Sequence, residues 1–136
     1  MKQLTIGLGI FTTAGIVIYW ATVFTGIFKV ADIIPGYRNW FMAFPLADAW
    51  IATCSLLTVI FLLRDDEKAV LFGLLTGSSL IFLGLYALLY GITTGLIFNL
   101  TADEVIEIFI KLYCLSVGTL FIGYFWHLRN LLVRIN

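Results

Sequence analysis

The chain has 136 residues, 62% hydrophobic and only 12% charged, with mean hydropathy +1.06 and a formal net charge of zero. Soluble domains carry about 25% charged residues, and a chain this short has too much surface to hide so much apolar area from water. The composition argues against a water-soluble domain, implies membrane lipid as the surrounding partner, and offers no basic surface for nucleic acid.

The first apolar run, Ile6 to Phe28, matches the roughly 20 residues a membrane-crossing helix needs. It is too long for the apolar core of a secretory signal, and no small-residue cleavage site follows it cleanly. The spacing predicts a helix over 6–28. Gly7, Gly15 and Gly26 supply small surfaces on it, and Tyr19 lies deep within it. An acid in the middle of this helix, which a small multidrug exporter would carry, is missing.

The next segment, Lys29 to Phe44, reads as a loop. It contains Arg38, Trp40 and Phe41. Pro45 then suits a first helical position and starts a second predicted helix over 45–63. That puts Asp48 near the end of the first turn, where an acid complements the helix dipole. The fifteen residues from Ala49 to Leu63 carry no charge. Trp40, Phe41 and Trp50 cluster where amphipathic rings settle at a bilayer interface.

After "RDDEK" comes a third run, Ala69 to Leu100, of 32 uncharged residues. A straight helix of that length would extend ~48 Å, beyond a hydrocarbon core of ~30 Å. The crossing is expected over 69–90. The rest would be a bent extension, an interfacial segment or part of a steeply tilted helix, with Gly91 and Gly95 as weak points. Gly73 and Gly77 form a GxxxG, and Gly77, Gly84 and Gly91 recur every seven residues. Small residues let helix backbones approach in lipid, so this stripe should face another helix. Gly118 and the glycines of the first helix are candidate partners, and a homodimer through the same stripe is the alternative.

The fourth helix is expected over 102–128. Thr101 and Glu104 have the spacing of a capping box, and Asp103 and Glu104 fall in a first turn that favours acids. Glu107 and Lys111 differ. The uncharged stretch from Leu112 to Trp126 is fifteen residues, ~22 Å of helix and too short to span ~30 Å. A full crossing must take Glu107 and Lys111 below the headgroups, where ionisable groups usually face protein or a wet cavity. Their i,i+4 order, Glu before Lys, suits an ion pair. Glu107, Lys111 and Gly118 share a helix side, which also favours protein contact.

With four crossings, the termini and the "RDDEK" loop share one side. That side holds Lys2, Arg64, Lys68, Arg129 and Arg134, against Lys29 and Arg38 on the other. The bias predicts cytoplasmic termini. The fold class is thus an all-α integral membrane protein, a single four-transmembrane-helix bundle over 1–136, multi-pass in the plasma membrane.

Cys54 and Cys114 sit in apolar runs. Cys54 points ~120° away from Asp48 but Cys114 only ~60° from Lys111, so one seam can hardly hold both an ion cluster and a disulfide, and two buried free thiols are favoured. One histidine, His127, is poor provision for a metal or haem, and no cofactor is implied. No CxxC, GxSxG, P-loop or HExxH is present.

The charged residues define the candidate site. Asp48 and Lys111 reach similar depths, so a cluster of Asp48, Glu107 and Lys111 is expected, with Arg38 as a fourth member and Trp50 and Tyr90 beside it. Two acids sharing one lysine would leave a proton easily exchanged. The reading is an outward-facing polar pocket between the second and fourth helices that binds or transports a small or lipid-like ligand. The alternatives are a membrane-embedded enzyme acting on a lipid-like substrate and a non-catalytic subunit whose ion cluster locks its helices.

Overall fold

The computed structural model describes residues 1–99 and 101–135, with side chains omitted at 102, 103 and 131–135. It is all-helical, with no strand among the described residues. Helix α1 runs Lys2–Phe24, a short α2 Tyr37–Phe41, α3 Pro45–Leu63, α4 Lys68–Thr93 and α5 Ala102–Ile135, with a 3₁₀ turn Leu96–Phe98 before α5. Helices α1, α3, α4 and α5 are long and apolar enough to cross a membrane.

The boundaries follow local chemistry. Pro45 opens α3, since the first turn has no use for its missing N–H. α3 ends where Asp65 turns left-handed at φ 52°, and Asp66 Oδ1 accepts the Lys68 backbone N–H at 2.9 Å to start α4. Lys2 pairs with Asp65, which ties the N-terminus to this connection. α4 continues three residues past Tyr90 and through Gly91. It ends at Thr93, and Gly95, at φ 75°, then turns the long apolar run into the 3₁₀ segment. α1 lies four residues nearer the N-terminus than the 6–28 expectation at both ends.

The helices pack in the order α1, α3, α4, α5. The outside is greasy and the inside partly polar, the reverse of a soluble bundle. Ile10, Val17, Phe82, Leu89, Phe109 and Leu112 are exposed, while Thr5, Ser55, Thr58, Thr76, Glu104 and Lys111 are buried. A helix apolar on every side suits lipid better than water.

Small residues and hydroxyls make the contacts. The α4 glycine stripe lies against α5, running antiparallel: Gly73 meets Phe125, Gly77 meets Gly118 and Ile122, and Gly84 meets Leu115. A methyl on Gly77 would lie 2.8 Å from the Gly118 carbonyl oxygen. The stripe is therefore filled within one chain. Of the first-helix glycines, Gly7, Gly15 and Gly26 face open space, and Gly9 makes the close approach, to Ser55 and Val59 on α3. Ser55 Oγ donates to the Gly9 carbonyl at 3.0 Å, and Thr58 and Thr76 hydroxyls meet at 3.4 Å between α3 and α4. Between α1 and α5 the link is the Thr12 hydroxyl with Tyr113 Oη at 2.7 Å. Buried hydroxyls that also bond to the preceding helical turn cost little to enclose.

The two halves of the bundle differ. Towards the termini, Phe121 and Phe125 are fully buried and join Leu62, Ala69 and Leu80 in a closed core. Towards the 25–44 loop, a second, aromatic cluster forms around Trp20, Tyr37 and Phe41. Substituting Gly77→Ala should cost about 1–3 kcal/mol through overpacking, whereas Gly7→Ala, which meets nothing within 4 Å, should leave stability unchanged or slightly raised. Reversible unfolding of both variants in detergent, compared with the parent chain, checks this.

Candidate functional site

The 25–44 loop folds back over the bundle instead of standing away from it. Gly36, at φ 83°, lets the chain turn into α2, and Asp32 Oδ1 accepts the Arg38 N–H at 2.9 Å. α2 then lays Tyr37, Trp40 and Phe41 onto the helices. Trp40 stacks on Tyr90 of α4 with centroids 3.8 Å apart and planes 8° from parallel. Phe41 packs on Tyr19 and Trp20 of α1. Trp40 and Phe41 are thus packed within the protein, while Trp50 is exposed.

Beneath this lid lies an ion cluster. Lys111 Nζ donates to Glu104 Oε1 at 3.0 Å and to Glu107 Oε2 at 3.2 Å. The Lys111 and Glu104 side chains are 5% and 7% exposed and that of Glu107 is 20%, so the cluster is largely removed from solvent. Tyr37 donates its hydroxyl hydrogen to Glu107 Oε1, joining α2 to α5. Gly91 on α4 leaves room for the ammonium: a methyl there would sit 3.3 Å from Lys111 Nζ. The seven-residue glycine spacing therefore ends on a charge instead of an aliphatic side chain.

Glu104 is the correction to the sequence reading. Its backbone N–H does take the Thr101 hydroxyl, at 3.3 Å, as a helix cap requires. Its side chain, however, reaches two turns along α5 to Lys111. The i, i+3, i+7 spacing of Glu104, Glu107 and Lys111 marks one helix face, a signal masked by the capping-box explanation.

Asp48 shares a cavity with this cluster without pairing to Lys111. The cavity, about 90 Å³, is walled by Tyr19, Trp20, Trp40, Asp48, Glu107 and Lys111 among others. Asp48 Oδ2 accepts the Trp20 indole N–H at 2.7 Å. Its other oxygen, Oδ1, is buried with no hydrogen-bond partner among the described residues, and so is the indole nitrogen of Trp40. Lys111 is already held by two glutamates, which explains why Asp48 takes an indole instead. Trp20, which the sequence reading left out, brings α1 into the site.

A second cavity of about 230 Å³ adjoins the first, with Tyr19, Asp48, Leu83 and Ile110 on the walls of both. It follows the seam between α1 and α5, past Phe11, Gly15, Phe109 and Tyr113. Phe11 and Phe109 are 58% and 64% exposed, so this seam opens sideways at the bundle surface. The site thus centres on α1 and α5 under α2, with α3 contributing Asp48.

Two other predicted site residues lie elsewhere. Arg38 is exposed and forms no ion pair among the described residues. Trp50 borders a separate cavity of about 340 Å³ between α3 and α4, with Ser78, Ser79 and Phe82. Tyr90 acts as a floor for Trp40. Cys54 and Cys114 are buried free thiols, and no group of three potential metal ligands occurs among the described residues. Comparison with known protein families, characterised proteins and solved structures finds no match to this chain.

A buried carboxylate that loses its base is strongly unfavourable, but replacing a whole buried ion cluster by neutral groups often is not. Lys111→Met should therefore lower stability by about 3–5 kcal/mol, and Glu104→Gln/Glu107→Gln/Lys111→Met should recover most of that loss. Equilibrium unfolding of the two variants in one detergent measures the difference.

Proposed function

We propose that this chain is a multi-pass plasma-membrane protein with cytoplasmic termini that binds a small lipid-like molecule from the bilayer. The molecule enters sideways between α1 and α5. Its polar end lies in the chamber beneath α2, on the extracytoplasmic side, and its apolar part lies along the α1–α5 seam.

One observation carries this reading: an apolar groove open at the helix surface leads to a buried carboxylate oxygen that has no partner among the described residues. Native proteins rarely leave a buried acceptor unmet. Apolar walls with a few convergent polar groups are the usual form of a small-molecule site. The sideways opening favours a ligand already dissolved in lipid, because polar solutes would not approach between Phe11 and Phe109.

The core around Phe121 and Phe125, both fully buried, supports binding over conduction. The excess of Lys and Arg at the termini and the "RDDEK" loop supports the orientation.

Gly15 offers a clean test. It lines the groove, and a Cβ on it meets nothing within 4 Å. Gly15→Phe should fill the seam without disturbing the helix, because glycine is the poorer helix former. The variant should fold normally yet lose the lipid-like molecules that copurify with the parent chain, as read by mass spectrometry of the purified proteins. Equal retention by both would contradict lateral binding.

A further inference from the structure

The chamber's chemistry specifies the polar end of that ligand. Its walls carry the faces and edges of Tyr19, Trp20, Trp40, Phe41 and Phe44, together with Asp48 and Glu107. Aromatic rings present negative faces that attract cations. Three acids, Asp48, Glu104 and Glu107, face one base, Lys111, and both of the ion pairs that Lys111 forms go to the glutamates. Among the described residues, Asp48 has only the Trp20 N–H, on one oxygen. The loop cations Lys29 and Arg38 are exposed and form no ion pair with it among the described residues. An anionic head group would meet uncompensated negative charge here, and a neutral one would gain only a neutral hydrogen bond from Asp48, weaker than the charge-assisted bond of an ammonium.

We infer that the chamber binds the protonated amine of an amphipathic alkylamine, with an N–H donated to Asp48 Oδ1 and the alkyl chain in the α1–α5 groove. This rests on the lipid-like ligand reading above and names its chemical class. Asp48 is placed for the task, because it lies on the wall shared by the two cavities. A head group there would have its chain already pointing into the groove. The unmet acceptor needs a hydrogen, which selects an amine bearing N–H over a quaternary ammonium. The small volume of the chamber, about 90 Å³, selects in the same direction. The unmet Trp40 indole N–H on the same wall suits an oxygen close to that amine.

The test uses the full chain in phosphatidylcholine nanodiscs, with empty nanodiscs subtracted. Dodecylamine hydrochloride, dodecanol, dodecanoate and dodecyltrimethylammonium are titrated, and binding is read from tryptophan fluorescence, since Trp20 and Trp40 wall the chamber. Dodecylamine should bind at least about tenfold tighter than any of the others, the scale of one charge-assisted hydrogen bond. Asp48→Asn should lower amine affinity to that of dodecanol and leave dodecanol unchanged. Equal binding of dodecanol and dodecylamine would overturn the amine assignment, as would an Asp48→Asn variant that keeps the preference. Should that variant fail to fold, the comparison of ligands on the parent chain decides alone. Equal amine and alcohol binding that disappears in Gly15→Phe would sink the amine assignment and keep the lateral lipid-like site; binding of none would sink both.

Discussion

The structure depends on enclosing one ammonium group. Lys111 sits on a helix with only fifteen uncharged residues beyond it before His127 and Arg129, too few to leave the lysine outside a bilayer-length apolar segment. It is enclosed at 5% exposure and satisfied by Glu104 and Glu107 from its own helix. Other features follow from this. Gly91 keeps α4 clear of the ammonium. Glu107 takes the Tyr37 hydroxyl and so anchors α2. α2 in turn stacks Trp40 on Tyr90 and covers Trp20 and Asp48.

Packing divides along the bundle. Where α4 approaches α5 through Gly73 and Gly77, Phe125 and Ile122 fill the space against the glycines. Towards the ion cluster the stripe is spaced at seven residues, Gly84 meeting Leu115 and Gly91 meeting Lys111, and aromatic rings from α1 and α2 line a cavity. The cavities lie at that end, beside the ion cluster. Thr12 and Tyr113 join α1 to α5, with the groove beside that contact.

Much of this architecture was legible in the residues. Pro45 and the charged "RDDEK" bound α3 on both sides, because each has a local effect on the backbone. The need to bury Lys111 followed from counting apolar length, and the glycine stripe announced a helix contact, although not which helix would fill it. What escaped were features set by tertiary contact. α2 is only five residues long, and its rings are the same ones that would mark a bilayer interface. Glu104 satisfied a local cap at the backbone, which hid the longer reach of its side chain. Asp48 lay at a depth that suited Lys111, but depth does not settle which neighbour wins. Trp20 on α1 was closer in direction, and Lys111 was already saturated. Arg38 belonged to a loop whose backbone path no periodicity describes.

The most direct test of the account is the environment of the Lys111 ammonium in a lipid bilayer. Solid-state NMR on the full chain, with labelled lysine nitrogen and glutamate carboxyl carbons, measures which carboxyls lie against it. The account predicts strong dipolar coupling of Lys111 Nζ to the carboxyls of both Glu104 and Glu107, with no rapid exchange to bulk water. A freely exchanging ammonium coupled to neither carboxyl would contradict it.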